Sequence, residues 1–460
     1  MSTSRGRRRR PPKTSPERAA ILSALFPGWG QYAQGRPRRA LPFLIGAATI
    51  TILVLAGLTA GPTRIAGWLV DPTVLILLIV ANVIVAVFRF LAVWDAGRIG
   101  QGRSALVVGT VVVLLVAIPH LALGWVQVRT YTFLTSVFAE DGGPVAAGSS
   151  TSSAPSESTG SPGADNSSPG ATTSTAPATT TTSTVPWQGD ERLNVLLLGG
   201  DAGPGRSGIR TDTMILASIG LKNGDVALFG FPRNLTHVTF ADGSRFTGYQ
   251  GILNEVYPYG FDNPDRFPGS NPGASALEQV IEGMAGVDID YYVLVDLNAF
   301  VDIVDALGGV TMYVPREIND NEYPLENGTM TTLHIDAGVQ HFDGSTGLAY
   351  VRSRHDSTDY DRMGRQRCFL SALAAEADVP SLVRGLPALL DTIQANVTTD
   401  IPLSALPDLI KLAGKVDATG ALAVGFDPPD WISGRVGPGF PVPDVEKIRQ
   451  AVALAIADPA

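Results

Sequence analysis

LNVLLLGGD, Leu193–Asp201, decides the fold class. A short apolar run that stops at a Gly-Gly-Asp turn reads as a buried strand. TMILASIG (Thr213–Gly220) and VALFGFP (Val226–Pro232) follow as two more. Ser275–Met284 has helical spacing, with Ser275 expected as its N-cap. YYVLVDL (Tyr291–Leu297) is a strand running into a helix through Ala306, and Val310–Val314 is again a strand. Gly344–Arg352 and Arg362–Ala375 read as helices. Strands alternating with helices predict an α/β sheet covered on both faces, with the chemistry carried by loops at the strand ends.

Upstream of this domain, residues 142–189 are built mostly of Ser, Thr, Ala, Pro and Gly. Such a stretch lacks the apolar bulk needed to offset chain entropy, so a disordered linker and tether is expected there. Further upstream, Leu41–Ala60, Thr73–Trp94 and Ser104–Val128 are apolar runs. Each is close to the roughly 20 residues a helix needs to cross a bilayer. Three membrane helices are therefore expected within residues 41–128, after a basic tail and amphipathic segment at 1–40. Arg5, Arg7 to Arg10, Lys13, Arg18, Arg36, Arg38 and Arg39 precede the spans, and Arg98 and Arg103 lie between the second and third. Only Arg64 lies between the first and second. Positive flanks mark the cytoplasmic side, so a multi-pass protein of the cell membrane is expected, with its N-terminus inside and residues 190–460 outside. The segment ILSALFPGWGQYAQG, Ile21–Gly35, is broken by Pro and Gly and is read as a short helix and turn at the membrane surface.

Charge divides along the same line. Residues 1–189 carry 15 Lys/Arg against 7 Asp/Glu, and residues 190–460 carry 19 against 36. A nucleic-acid binder concentrates positive charge on its folded domain; here that domain is acidic, so no nucleic-acid partner is expected. One cysteine, Cys368, excludes a disulfide framework, and it is read as a small core residue. The five histidines show no metal-ligand spacing, although His355 falls inside an arginine motif.

Polar chemistry gathers in two stretches. GGDAGPGRSGIRTDTMIL, with FPRNL after it, spans Asp201 to Arg233. YVRSRHDSTDYDRMGRQR spans Tyr350 to Arg367 and holds Arg352, Arg354, Arg362, Arg365 and Arg367. Guanidinium forks match phosphate oxygens and stay charged at any relevant pH. Asp201 and Asp212 flank a Gly-rich turn, and two hard oxygen donors suit Mg²⁺ shared with substrate phosphates. From spacing alone two readings stand: a pyrophosphate site with a divalent metal, or a surface network of mutually paired charges.

With these residues in view the chain resembles the LytR-CpsA-Psr family of membrane-anchored cell-wall phosphotransferases. The resemblance runs over about Arg192 to Val424. It rests on LLLGGD, RTDTMIL, PRN, LNEVYPYG, VDLNAFVDIVDALGGV and YVRSR…DYDRMGRQR, in that order. It implies an extracellular α/β/α sandwich with a central mixed sheet. It also implies that Asp201 and Asp212 hold Mg²⁺ (or Mn²⁺), and that Arg210 and Arg233 bind pyrophosphate. Arg352, Arg354, Arg362 and Gln366 would grip the same diphosphate, with Arg206 in the Gly-rich loop near it. Asp359 is the acidic residue of the motif and the candidate for orienting an acceptor hydroxyl, with Arg233 and Arg362 beside the reacting group. Three positions depart from the family pattern. Asn234 stands where Asp is usual, Ile252 where Lys is frequent, and Arg367 where a second Gln is common.

The activity implied is transfer of a glycopolymer from a polyprenyl-pyrophosphate carrier to peptidoglycan, the lipid tail lying in an apolar channel of the sheet domain and the spans holding the enzyme beside its lipid donor. The composition, with 5 Lys among 34 basic residues, fits a GC-rich genome. Together with the resemblance it points to an actinobacterial source and to arabinogalactan or a related wall polymer as cargo. Rival readings are hydrolysis of the same pyrophosphate by water and a non-catalytic envelope sensor or transcriptional attenuator. Without ligand, the arginines are expected to face solvent and repel one another.

Overall fold

Proline and capping side chains set where the N-terminal helices begin. α1 (Pro16–Leu25) starts at Pro16 with Ser15 as N-cap. α2 (Trp29–Ala33) follows Gly28, whose φ of 100° suits glycine. Three helices, Pro37–Leu58 (α3), Pro72–Ala96 (α5) and Gly109–Val137, are long and apolar enough to cross a membrane. α4 (Pro62–Val70) connects the first two, and α6 (Ile118–Val137) forms most of the third. Asp71 caps α5, accepting from the Thr73 and Val74 amides at 2.8 and 3.2 Å; such a cap contributes about 1 kcal/mol. The computed structural model describes residues 14–97, 106, 109–111, 113–138, 191–200, 210–248, 250–325, 329–354, 357–376, 396–416 and 420–457. The 142–189 linker lies outside them.

The Pro-Gly-Trp-Gly-Gln segment has a structural role. Gln31 is fully buried and donates from Nε2 to the Ala92 carbonyl at 2.8 Å, while Gln34 donates to the Ala96 carbonyl at 2.7 Å. Gln34 satisfies a carbonyl that the C-terminal end of α5 would otherwise leave unpaired, and Gln31 adds a second bond one turn earlier. A Cβ at Gly30 would lie 1.9 Å from the Ala19 carbonyl oxygen, so only glycine fits there. Arg39 pairs with Asp95 at 3.6 Å, which puts α1, α2 and the basic flank at one end of the bundle.

The third span runs past Val128 to Val137. Those extra residues are held by packing: Phe133, Leu134 and Val137 are buried against the folded domain.

That domain is built on a six-stranded mixed sheet of order β10-β3-β2-β1-β4-β9. Its strands are β1 (Arg192–Gly200), β2 (Thr211–Gly220), β3 (Val226–Gly230), β4 (Tyr291–Val295), β9 (Val397–Thr399) and β10 (Leu422–Gly425). β1 pairs antiparallel with β2 and parallel with β4. Side chains alternate along β1. Leu196 and Leu198 face the main core under α8 (Pro272–Ala285), after the short α7 (Val256–Asp262). Leu193, Val195 and Leu197 face the other way. On that second face stand α9 (Leu297–Leu307), α10 (Gly344–Arg352), α11 (Asp359–Glu376) and α12 (Leu406–Ala413). α13 (Val445–Ala457) returns to the first face, its Ile448 and Val452 fully buried.

Three small antiparallel pairs stand outside the central sheet. They are β5 (Val310–Val314) with β8 (Gly338–Phe342), β6 (Ile318–Pro324) with β7 (Met330–Ile335), and β11 (Ile432–Val436) with β12 (Phe440–Pro443). Two expectations are corrected. The N-cap of α8 is Asn271 rather than Ser275, because Pro272 starts the helix a turn earlier and Asn271 Oδ1 accepts from the Ala274 amide at 3.1 Å. Cys368 is exposed rather than core; at about 100° per residue, burying Phe369 turns its neighbour outward.

Candidate diphosphate and lipid site

Asp212 reaches the site because of an irregularity in the sheet. The β1–β2 register shifts between Gly199 and Gly200, so Gly199 faces Thr213 and Gly200 faces Thr211. Bulges of this kind re-aim side chains at sheet ends. Arg233 follows β3 and donates from Nη1 to Asp212 Oδ1 at 2.7 Å. Its Nε lies 3.3 Å from Asp359 Oδ2 on α11. Asp359, Arg362 and Gln366 share one face of that helix by their i, i+3 and i+7 spacing. Arg362 Nη2 is 3.1 Å, and Arg354 Nη1 3.5 Å, from Asp359 Oδ1. One carboxylate therefore meets three guanidinium groups. Among the described residues neither Asp359 oxygen has an aligned hydrogen-bond donor, so the contacts seen are ionic.

Burial works to raise the Asp212 carboxyl, but Arg233 beside it, with Arg362, holds it below the usual carboxylate range. Burial likewise works to lower the Arg233 guanidinium, and its pairing with Asp212 and Asp359 outweighs that and raises it. Burial pushes Arg362 down to about 10, with Asp359 opposing the fall. It is still a cation at neutral pH.

The expectation that these arginines face solvent and repel holds poorly. The Arg362 side chain is only 5% exposed and paired, whereas Arg354 is 49% exposed. A buried cation needs a partner, and α11 supplies one three residues earlier.

The five arginines of the second motif divide. Arg352, Arg354 and Arg362, with Gln366 and Asp212, line one cavity. Arg365 instead ties the turn between α10 and α11, donating to the Tyr350 carbonyl at 2.9 Å, to Ser357 Oγ at 3.2 Å and to the Ser353 carbonyl. Arg367 lies 3.7 Å from Asp427 and packs over Gly230 and Gly425, so its charge is matched away from the cavity. Asn234 donates to the Tyr360 hydroxyl at 3.4 Å. Arg210 is exposed at the start of β2 and is not among the cavity residues. Asp201, Arg206 and His355 lie outside the described residues.

Behind the charged mouth the cavity is apolar and about 670 Å³ in volume, within the roughly 300–1,000 Å³ usual for ligand clefts. Leu197 and Val293 of the sheet, Phe300 of α9, Val351 of α10 and Leu373 of α11 wall it, and Tyr323 and Pro324 of β6 close one side.

Two contributors escaped the sequence reading. Asp320 is 2% exposed and accepts from Ser353 Oγ at 2.7 Å and the Arg354 amide at 3.2 Å, fixing the backbone of the Arg-x-Arg segment. Nothing in its local sequence signals this. Asn254 stands in the LNEVYPYG motif, buried, and its side-chain amide helps to hold the Asp212 carboxyl low.

A sequence model of the LytR_cpsA_psr family matches residues 155–424, more than half of the chain. The chain belongs to the LytR_cpsA_psr family. The LytR_cpsA_psr match starts inside the Ser/Thr-rich stretch, upstream of β1. Among curated relatives, "Probable cell wall biosynthesis protein LcpB" of Corynebacterium glutamicum is 33% identical over 192 residues, covering 42% of this chain and 39% of that protein. "Polyisoprenyl-teichoic acid–peptidoglycan teichoic acid transferase TagU" of Halalkalibacterium halodurans is 25% identical over 219 residues, covering 47% and 64%. The crystal structure of TagV from B. subtilis aligns with 22% identity and a TM-score of 0.43, covering 58% of this chain and 98% of that one. The match spans less than two thirds of the length of these curated relatives.

The donor set suits a divalent cation. Asp212 is a hard carboxylate lining the cavity, Asp359 stands outside the lining and meets it through Arg233, and among the described residues the Asp359 oxygens and the Asn254 side-chain carbonyl are buried without a hydrogen-bond partner. Mg²⁺ commonly takes one or two carboxylates together with substrate phosphates.

Proposed function

We propose that the protein is a membrane-anchored phosphotransferase that moves a glycopolymer from a polyprenyl-pyrophosphate carrier onto peptidoglycan. One observation carries this: a largely apolar cavity whose polar lining joins Arg352, Arg354, Arg362 and Gln366 to the carboxylates of Asp212, Asp296, Asp320 and Glu322. That combination matches an isoprenoid chain joined to a diphosphate, and neither half suits a sugar or a peptide alone. Family membership and the transferase name of the TagU relative support the reaction type. Three apolar helices upstream support anchoring beside a lipid donor.

The residues divide the work. Arg352, Arg354 and Arg362 bind the diphosphate oxygens and offset the charge that builds on the transferring phosphoryl group. Arg233, held by Asp212 and Asp359, presents a fixed cation next to them. Asp359 positions the three guanidinium groups, and as the diphosphate draws Arg354 and Arg362 away it is free to orient the acceptor hydroxyl. The hydroxyl oxygen bonds to the glycan-side phosphorus while its proton passes by way of Asp359 to the leaving group, the bond to the bridging oxygen breaks, and polyprenyl phosphate leaves with that electron pair and proton. Asp212, Asp359 and Asn254 would hold a Mg²⁺ or Mn²⁺ ion, which supplies further neutralisation of phosphate charge when bound.

The test is an acceptor assay on the full chain in nanodiscs, with a polyprenyl-pyrophosphate-linked glycan as donor and peptidoglycan fragments as acceptor. Transfer of labelled glycan, lost on chelation and in Asp212→Ala, is the expected result. Release of free glycan phosphate with acceptor left unlabelled would make the protein a hydrolase instead.

A further inference from the structure

The membrane helices do more than end near the folded domain. Leu75 of α5 and Phe133, Leu134 and Val137 of α6 are each at most 6% exposed, in one cluster with Leu193, Val195, Tyr291, Ile401 and Leu406 of the domain. α4 lies against α12: a Cβ at Gly414, which ends α12, would sit 2.7 Å from Thr63 Cγ2. The chain thus leaves this cluster at Val137 and returns to it at Leu193. Leu197 and Val293 pack against the same cluster and also line the cavity. One apolar face therefore runs without a break from the outer ends of the spans to the cavity wall.

We propose that the outer ends of α5 and α6, together with α4, form a docking seat for this chain's own catalytic domain. The seat places the apolar sheet face at the bilayer, so that a lipid-linked donor passes along it into the cavity without crossing water. The second part rests on the lipid-donor reading above; the docking itself does not. Tethering adds to the case. A connection of about fifty residues holds the domain at an effective concentration on the order of millimolar, so a seat of only millimolar affinity is substantially occupied. Burying apolar side chains that would otherwise meet water and headgroups supplies the attraction.

The geometry at Thr63 and Gly414 gives a direct test. Disulfides need Cβ atoms about 3.5–4.5 Å apart, and Gly414 has a φ of −69° that any residue adopts. Thr63→Cys with Gly414→Cys, in full-length protein carrying Cys368→Ser, should cross-link in membranes on mild oxidation. A control pair, Thr63→Cys with Asp336→Cys, should not. Absence of the Thr63–Gly414 cross-link in a chain that still transfers glycan would overturn the docking and leave the function standing. In the second arm, Leu134→Asp should reduce cross-linking and raise KM for a long-chain donor in nanodiscs by about tenfold or more, the scale on which lost local concentration acts. kcat/KM for a water-soluble short-chain donor should stay within about twofold in that variant. Equal loss on both donors, or on neither, would overturn the lipid route. Wild-type protein that cross-links yet turns over neither donor would refute the phosphotransferase reading while sustaining the seat.

Discussion

Replacing Asp359 by Asn removes one charge at nearly constant volume and leaves three guanidinium groups with one carboxylate fewer. The cost can be built from the geometry. Arg354 is half exposed and 3.5 Å away, so its pair contributes at most about 1 kcal/mol. Arg233 keeps Asp212 at 2.7 Å and loses less still. Arg362 is 5% exposed and loses its ion pair at 3.1 Å. Breaking a buried pair by removing one partner costs roughly 3–5 kcal/mol. Asp359 itself keeps 22% of its side chain exposed, which lowers the figure to about 2–4 kcal/mol. For a domain of this size that corresponds to a melting temperature lower by roughly 4–16 °C. The diphosphate reading adds a second expectation. Inorganic pyrophosphate restores the missing negative charge, so it should raise the variant's melting temperature more than the wild type's, where Asp359 competes for the same cations. Thermal unfolding of the full chain in nanodiscs, with and without pyrophosphate, measures both. A destabilised variant that ignores pyrophosphate would show that Asp359 and its arginines are a structural network only. An undiminished melting temperature would show that the ion pairs carry no stability.

The arginines should separate by burial. Arg354→Ala should weaken donor binding by about tenfold or more, the worth of a charge-assisted bond, with little change in melting temperature, and Arg354→Lys should recover only part because the fork is lost. Arg362→Ala should lower both, and a melting temperature unchanged in that variant would contradict its burial. Glu278 on α8 is pushed up to about 8 by burial and then by Asp400 and Glu282. Its folded value exceeds its unfolded one, so the stability it contributes is full below about pH 4 and lost as pH rises through 8. Glu278→Gln should therefore raise the melting temperature at pH 8.5 by roughly 2–8 °C, about 1–2 kcal/mol, and change little at pH 4; equal effects at both would refute the shift. A reporter fused at Ala146 should be active outside the cell and silent in the cytoplasm, and the reverse would require an even number of crossings.

Much of the architecture is local and so was legible along the chain. Short apolar runs such as Leu193–Leu198 become strands because a buried sheet needs apolar side chains on both faces. The α10 helix falls where Gly344–Arg352 placed it, since its period and its Asp343 cap lie within one segment. Even so, Pro272 with Asn271 outweighed Ser275 as a start signal. Which arginines serve the cavity was not local information. Arg352, Arg354, Arg362, Arg365 and Arg367 have the same chemistry along the chain. Helix phase turns Arg367 toward Asp427 and Arg365 onto carbonyls of the preceding turn, leaving the other three at the cavity. Asp320 shows the limit most plainly: its value comes from Ser353 and Arg354, distant in sequence, and only chain folding brings a carboxylate to those donors. The seat on the membrane helices is of the same kind. Hydropathy marks the spans because bilayer thickness sets their length, but a buried Leu134 and a lipid-facing one read alike until the sheet packs against it.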